Sequence, residues 1–149
     1  MGETRLLAAS PTDVLMQDHD RLRHLFAEHA RTPPEASKAR TALFREIRQE
    51  LRVHGAIERE HFYPSLNDRA RPFAEDHVAI DGLLDKLSGM NPSDKSYDAL
   101  MKLLEENFTL HAAVEERDLF PALGHLSPLA LQEMTLKLEN ARDRFRRSD

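Results

Sequence analysis

The chain has 149 residues, 40% of them hydrophobic and 32% charged, with a formal net charge of −5 and no cysteine. That length supports one domain with a real core, while the missing cysteines exclude disulfides, thiolate metal sites, iron–sulfur clusters and thiol catalysis. The acidic balance argues against a nucleic-acid partner. No stretch approaches the roughly 20 apolar residues of a membrane span, and the first residues hold too short an apolar run for a signal peptide, so a cytoplasmic protein with no membrane partner is expected.

Residues 1–10 read as a flexible leader and 11–147 as a single domain. Ser10-Pro11-Thr12-Asp13 opens the first helix with a hydroxyl cap, a proline near the first turn and an acid where the helix dipole favours one. Its apolar seam is Leu15, His19, Leu22 and Phe26, and Thr32-Pro33-Pro34 ends it. A second helix is predicted from about Glu35 to Phe62, with Phe44, Ile47, Leu51, His54 and Glu58 on its seam. The third spans roughly Arg71 to Ser88, with the stripe Phe73, His77, Ile80, Leu84 and Leu87; Gly89 and Pro92 break the chain after it. The fourth runs from about Ser93 to Phe120, carrying Leu100, Leu104, Phe108, His111, Glu115 and Leu119. A short last helix opens at Ser127-Pro128, presents Leu131, Met134, Leu138, Ala141 and Phe145 on one face, and ends in a basic run read as solvated. No β-like alternation is sustained and no Gly-rich phosphate loop occurs. The expected fold is all-α, an up-down-up-down four-helix bundle with a short additional C-terminal helix.

One line of sequence occurs twice. His54-x3-Glu58 runs into Phe62-Tyr63-Pro64, and His111-x3-Glu115 runs into Leu119-Phe120-Pro121, with no gap between the two copies. Each copy has a herald: Asp18-His19 lies 35 residues before His54, and Asp76-His77 lies 34 before His111 (counting His to His). The unit is a duplicated helical hairpin. Residues i and i+4 share a helix face, so each pair aims an imidazole and a carboxylate into the bundle centre. A buried carboxylate must be protonated, paired or metal-bound. Two metal dications meet that demand, with His19, His54, His77 and His111 holding them and Glu58 and Glu115 bridging. Imidazole and carboxylate suit iron, manganese or zinc. A Glu-x-x-His motif occurs once, Glu58-x-x-His61, but the position matching His61 is Asp118, so a ferritin-like site has weak support. The His-Glu-x-x-His of zinc proteases is absent, and nothing supports a nucleophilic triad.

The ordered set His19, His54-x3-Glu58, His77, His111-x3-Glu115 resembles the hemerythrin-like, His-His-Glu cation-binding domain over about residues 10 to 145. The resemblance implies two iron ions in a non-haem centre, bridged by Glu58, Glu115 and an oxo or hydroxo group. His19 and His54 would then serve mainly one iron, and His77 and His111 the other. Oxygen-carrying members of that family have a fifth histidine one turn before the third-helix ligand, where this chain has Phe73. His61, two turns past His54, is the first candidate additional metal ligand; a water-bonded histidine at the bundle end is its ordinary reading. Asp81 is a weaker candidate, and His24, His29 and His125 read as surface residues. The function implied is a di-iron protein binding dioxygen or hydrogen peroxide, with catalase-like peroxide disproportionation as the activity to test. The alternative is an oxygen, redox or iron sensor whose metal state controls its stability. The cysteine motif of iron–sulfur repair relatives is missing.

Overall fold

The computed structural model describes residues 10–147, so the leader expected over residues 1–10 lies, Ser10 apart, outside the described residues. Those residues form five α-helices and no strand: α1, Pro11–Arg31; α2, Ser37–Ile57; α3, Arg71–Ser88; α4, Lys95–Val114; and α5, Pro128–Arg147. None of them is long and apolar enough to cross a membrane. The starts and stops are local chemistry. Ser10 Oγ accepts the Asp13 N–H at 3.2 Å at the head of α1, and Thr32 closes α1 just before the two prolines. Asn67 takes a positive φ of 55° in the turn before α3, a conformation that asparagine tolerates better than most residues.

α1 packs on α2 and α3 on α4, and the two hairpins close into a bundle. The core is divided. One apolar cluster gathers Leu15, Ile57, Phe62, Leu119 and Leu138; the other gathers Leu22, Ile47, Leu84, Leu104 and Phe108. His19, His54, His77 and His111 fall between these clusters along each helix, so a polar layer crosses the bundle between two greasy ones.

Three expectations are corrected. The last helix is not short: α5 has 20 residues, as many as α4, and packs on α1 and α2. Its basic end is not simply solvated. Arg142 is buried against Asp18 at 3.1 Å, and Arg146 reaches Glu50 at 3.0 Å. Helices two and four also do not run through regularly. Each widens into a π-helical turn, Glu58–Phe62 and Glu115–Leu119, starting at the glutamate of the repeated line.

Candidate metal centre

The helices bring all six predicted inward residues together. His19, His54, Glu58 and Glu115 form one group, and Glu58, His77 and His111 a second; within each group, one ligand atom per residue lies within 4.8 Å of the others. Glu58 belongs to both. Every imidazole turns Nε2 inward. The Nε2 atoms of His19 and His54 stand 3.2 Å apart, with His19 Nε2 at 3.1 Å from Glu115 Oε1 and His54 Nε2 at 3.1 Å from Glu58 Oε1. On the other side His77 Nε2 lies 3.1 Å from Glu58 Oε1. His111 Nε2 is 3.4 Å from Glu115 Oε2 and 3.8 Å from Glu58 Oε1.

Both carboxylates are fully buried, at 0% exposure. Burial alone would push the Glu58 carboxyl up, but the His54 imidazole and hydrogen bonding nearby hold it well below the usual carboxylate range. Burial likewise works against protonated His54, yet Glu58 and Asp18 raise its pKa well above the ordinary histidine value. For His111 burial is outweighed by Glu115 and Glu58, and the pKa rises to about 10. Positive charge on the imidazoles thus balances the negative charge of the buried carboxylates. The compensation is incomplete in geometry. Glu58 Oε2 and His111 Nε2 are buried without a hydrogen-bond partner. Such atoms are costly unless something else engages them, and a cation shared between imidazole and carboxylate fits both.

The other ring nitrogens are held from outside. Asp18 Oδ2 meets His54 Nδ1 at 2.9 Å, Asp76 Oδ2 meets His111 Nδ1 at 3.0 Å, and Glu116 Oε2 meets His19 Nδ1 at 2.7 Å. A carboxylate on the outer nitrogen fixes the tautomer that leaves Nε2 free to bind metal. The signal for two of these was visible in sequence, since each Asp-His herald supplies the support for the histidine one helix further on.

Tyr63 was missed. Its hydroxyl lies 2.8 Å from Glu115 Oε2, 3.1 Å from His77 Nε2 and 3.2 Å from Glu58 Oε1. In a regular helix Tyr63 would stand about 140° around from Glu58. The π turn closes with the Tyr63 N–H on the Glu58 carbonyl, and the wider turn brings the ring back over the glutamate. Burial and then the Glu58 and Glu115 charges push its phenol far up, so it stays protonated and donates.

His61 stands outside both groups, with a side chain 25% exposed and 3.4 Å from Glu60. Asp81 is in neither group, while Phe73 packs edge-on to His111 at 5.7 Å between ring centroids. His24 and His125 are exposed. His29 is a correction: it is buried, and its Nε2 is hydrogen-bonded to the Tyr97 hydroxyl at 2.7 Å.

Comparison with known proteins gives one consistent result. The family model for the hemerythrin HHE cation-binding domain matches residues 10–147. Uncharacterized proteins of Mycobacterium bovis and Mycobacterium tuberculosis are each 29% identical over 131 residues, covering 85% of this chain and 81% of theirs. The crystal structure of a hemerythrin HHE cation-binding domain-containing protein from Mycobacterium kansasii superposes with a TM-score of 0.84 at 26% identity, covering 97% of this chain and 90% of that one.

Proposed function

Because the chain belongs to the hemerythrin HHE cation-binding domain family, we propose that it holds two iron ions within its bundle and uses them to bind dioxygen or peroxide. The observation carrying this reading is the pair of ligand groups that share the buried carboxylate Glu58. His19 and His54 would serve one ion, His77 and His111 the other, with Glu58 and Glu115 between them. Tyr63, within 3.2 Å of Glu58, His77 and Glu115, would take the place that a fifth histidine fills in the oxygen carriers. His61 has no part in this assignment. Bound iron would supply redox chemistry toward dioxygen or peroxide.

The chain's own residues set the terms of that chemistry. Asp18, Asp76 and Glu116 orient three imidazoles. The apolar clusters above and below exclude water and strengthen every charge interaction between them. Tyr63 holds a proton at its oxygen and donates it in a hydrogen bond to Glu115 Oε2 at 2.8 Å, which orients that carboxylate. A phenolic oxygen would be a harder donor than an imidazole, and a centre short of one histidine would suit peroxide disproportionation better than reversible oxygen carriage.

The test is metal analysis with a visible spectrum on protein supplied with iron, followed by a peroxide assay. We expect about two irons per chain and oxygen evolution from peroxide, with both lost in Glu58→Ala. Tyr63→Phe should keep the fold but remove any phenolate-to-iron absorption. Fully loaded protein that leaves peroxide untouched would end the enzymatic version and favour the sensor reading. Failure to take up iron after reconstitution would end both.

A further inference from the structure

At the opposite end of α1 from its ligand histidine lies a second concave site. His29 stands ten residues after His19, about 15 Å further along the helix, and borders a cavity of ≈ 360 Å³ between α1, α4 and the start of α2. That size falls at the low end of the range for small-molecule pockets, about 300–1,000 Å³.

Two residues of its wall are polar and more than nine-tenths buried: His29 is 4% exposed and Arg40 6%. Arg40 is held in place. Its Nε donates to the Thr32 carbonyl at 3.0 Å, and its Nη1 to the Pro92 carbonyl at 2.9 Å and to Asp98 Oδ1 at 2.6 Å. Its guanidinium carbon lies 5.9 Å from the centre of the Tyr97 ring, whose hydroxyl is hydrogen-bonded to His29 Nε2. These bonds tie the α1–α2 connection to the α3–α4 connection, which accounts for a buried arginine. They leave two nitrogens over. Among the described residues neither Arg40 Nη2 nor His29 Nδ1 has a hydrogen-bond partner. Neither is among the fully enclosed atoms that lack one, so both open to solvent, and the cavity is the solvent that their residues border.

The rest of the wall is part apolar and part charged. Phe26, Ala30 and Met101 supply apolar surface. Lys102 adds a second cation to Arg40, and Asp98 and Glu105 supply two carboxylates. This balance selects the ligand. A simple anion would meet both carboxylates, and a simple cation would meet Arg40 and Lys102. A molecule with one group of each sign finds a partner for both. A guanidinium fixed by other bonds, with N–H groups to spare, suits a carboxylate, and the apolar wall suits a hydrocarbon side chain.

We propose that this cavity binds a small zwitterion with an apolar side chain, of the chemical class of free α-amino acids such as phenylalanine. Its carboxylate lies on Arg40 and Lys102, its ammonium on Glu105 and Asp98, and its side chain on Phe26 and Met101. The site is separate from the candidate metal centre, and its occupation does not depend on which metal that centre holds.

The experiment is isothermal titration of the full chain with L-phenylalanine, beside three probes that each lack one part: 3-phenylpropionate without the ammonium, 2-phenylethylamine without the carboxylate, and glycine without the side chain. Phenylalanine should bind, and each of the three at least about tenfold more weakly. Ala30→Trp brings an indole into the cavity from an exposed position and should abolish phenylalanine binding. Lys102→Glu, also at an exposed position, should weaken it at least about tenfold. Both variants should keep the wild-type helical content; should Ala30→Trp fail to fold, Lys102→Glu decides alone. No heat of binding from phenylalanine, or a single-sign analogue within twofold of it, would overturn the proposal. Unchanged phenylalanine affinity in the folded variants would overturn it too.

Discussion

At the scale of single residues, the chain handles buried polar groups in two ways, and His29 shows the simpler one. It lies at the far end of α1 from the ligand histidine of that helix, 4% exposed, with the Tyr97 hydroxyl on Nε2 at 2.7 Å. Burial and then the Arg40 guanidinium push its pKa down to about 4, with Asp98 opposing. The unfolded chain takes up this proton near the ordinary histidine value of about 6.5, and the folded chain only near 4. Between those values the unfolded state binds more protons, so stability falls as pH falls through that window. Solvent in the open cavity beside His29 screens the effect, leaving a loss of order 1 kcal/mol. His29→Gln should remove that acid sensitivity while lowering stability at pH 7. Urea unfolding of metal-free protein at pH 7 and pH 5 checks this, and equal pH dependence in variant and wild type would refute it. His29 read as a surface residue although it stands three residues after Phe26, on the seam of its own helix; what periodicity could not supply was its partner Tyr97, 68 positions away. His19, His54, Glu58, His77, His111 and Glu115 read correctly as inward-facing because each interrupts an apolar stripe on its own helix.

At the scale of elements, α5 is wired to the centre rather than laid against it. Arg142 Nη1 donates to Asp18 Oδ1 at 3.1 Å, and the other oxygen of Asp18 faces His54 Nδ1 at 2.9 Å. Burial alone would push the Asp18 carboxyl up, but His54 and then Arg142 bring it below its ordinary value. Removing one member of a buried charged set leaves the others uncompensated, at a cost of about 3 kcal/mol or more. Arg142→Met should therefore destabilise the protein by about that amount and weaken metal retention, whereas Arg142→Met with Asp18→Asn should cost clearly less. Urea unfolding with metal analysis decides it, and a single variant within 1 kcal/mol of wild type would sink the link. α5 was legible as a helix with a greasy face, but not as part of the site, because its contact with α1 spans 124 positions. Tyr63 escaped for a different reason. The register of a helix can be extrapolated only while the helix stays regular, and the π turn at Glu58 is where that extrapolation fails. The turn repeats at Glu115 with Phe120 in place of Tyr63, so the widening belongs to the duplicated framework and the phenol to this half alone.

At the scale of the whole molecule, the bundle places a polar layer between two apolar clusters, and its stability must follow what occupies that layer. Glu58 and Glu115 are both at 0% exposure, and two buried polar atoms in the layer have no partner. A ligand that binds the folded state alone stabilises it by about 2.7 kcal/mol at one hundred times its dissociation constant. For a chain of this length that corresponds to a rise in melting temperature of about 5–10 °C. Removing metal with a chelator should reverse it, and Glu58→Gln should abolish most of the response while leaving the helical content in place. Differential scanning calorimetry on loaded, stripped and reloaded protein measures this directly. A stripped protein that melts where the loaded one does would mean that the proton-compensated site is as good as a metal-filled one, and neither functional reading would survive. A gap of the expected size supports both, because an enzyme and a sensor alike require metal to favour the folded bundle. What separates them is turnover: a sensor needs only the stability difference, whereas an enzyme must also evolve oxygen from peroxide under conditions where the melting temperature shows the site to be full.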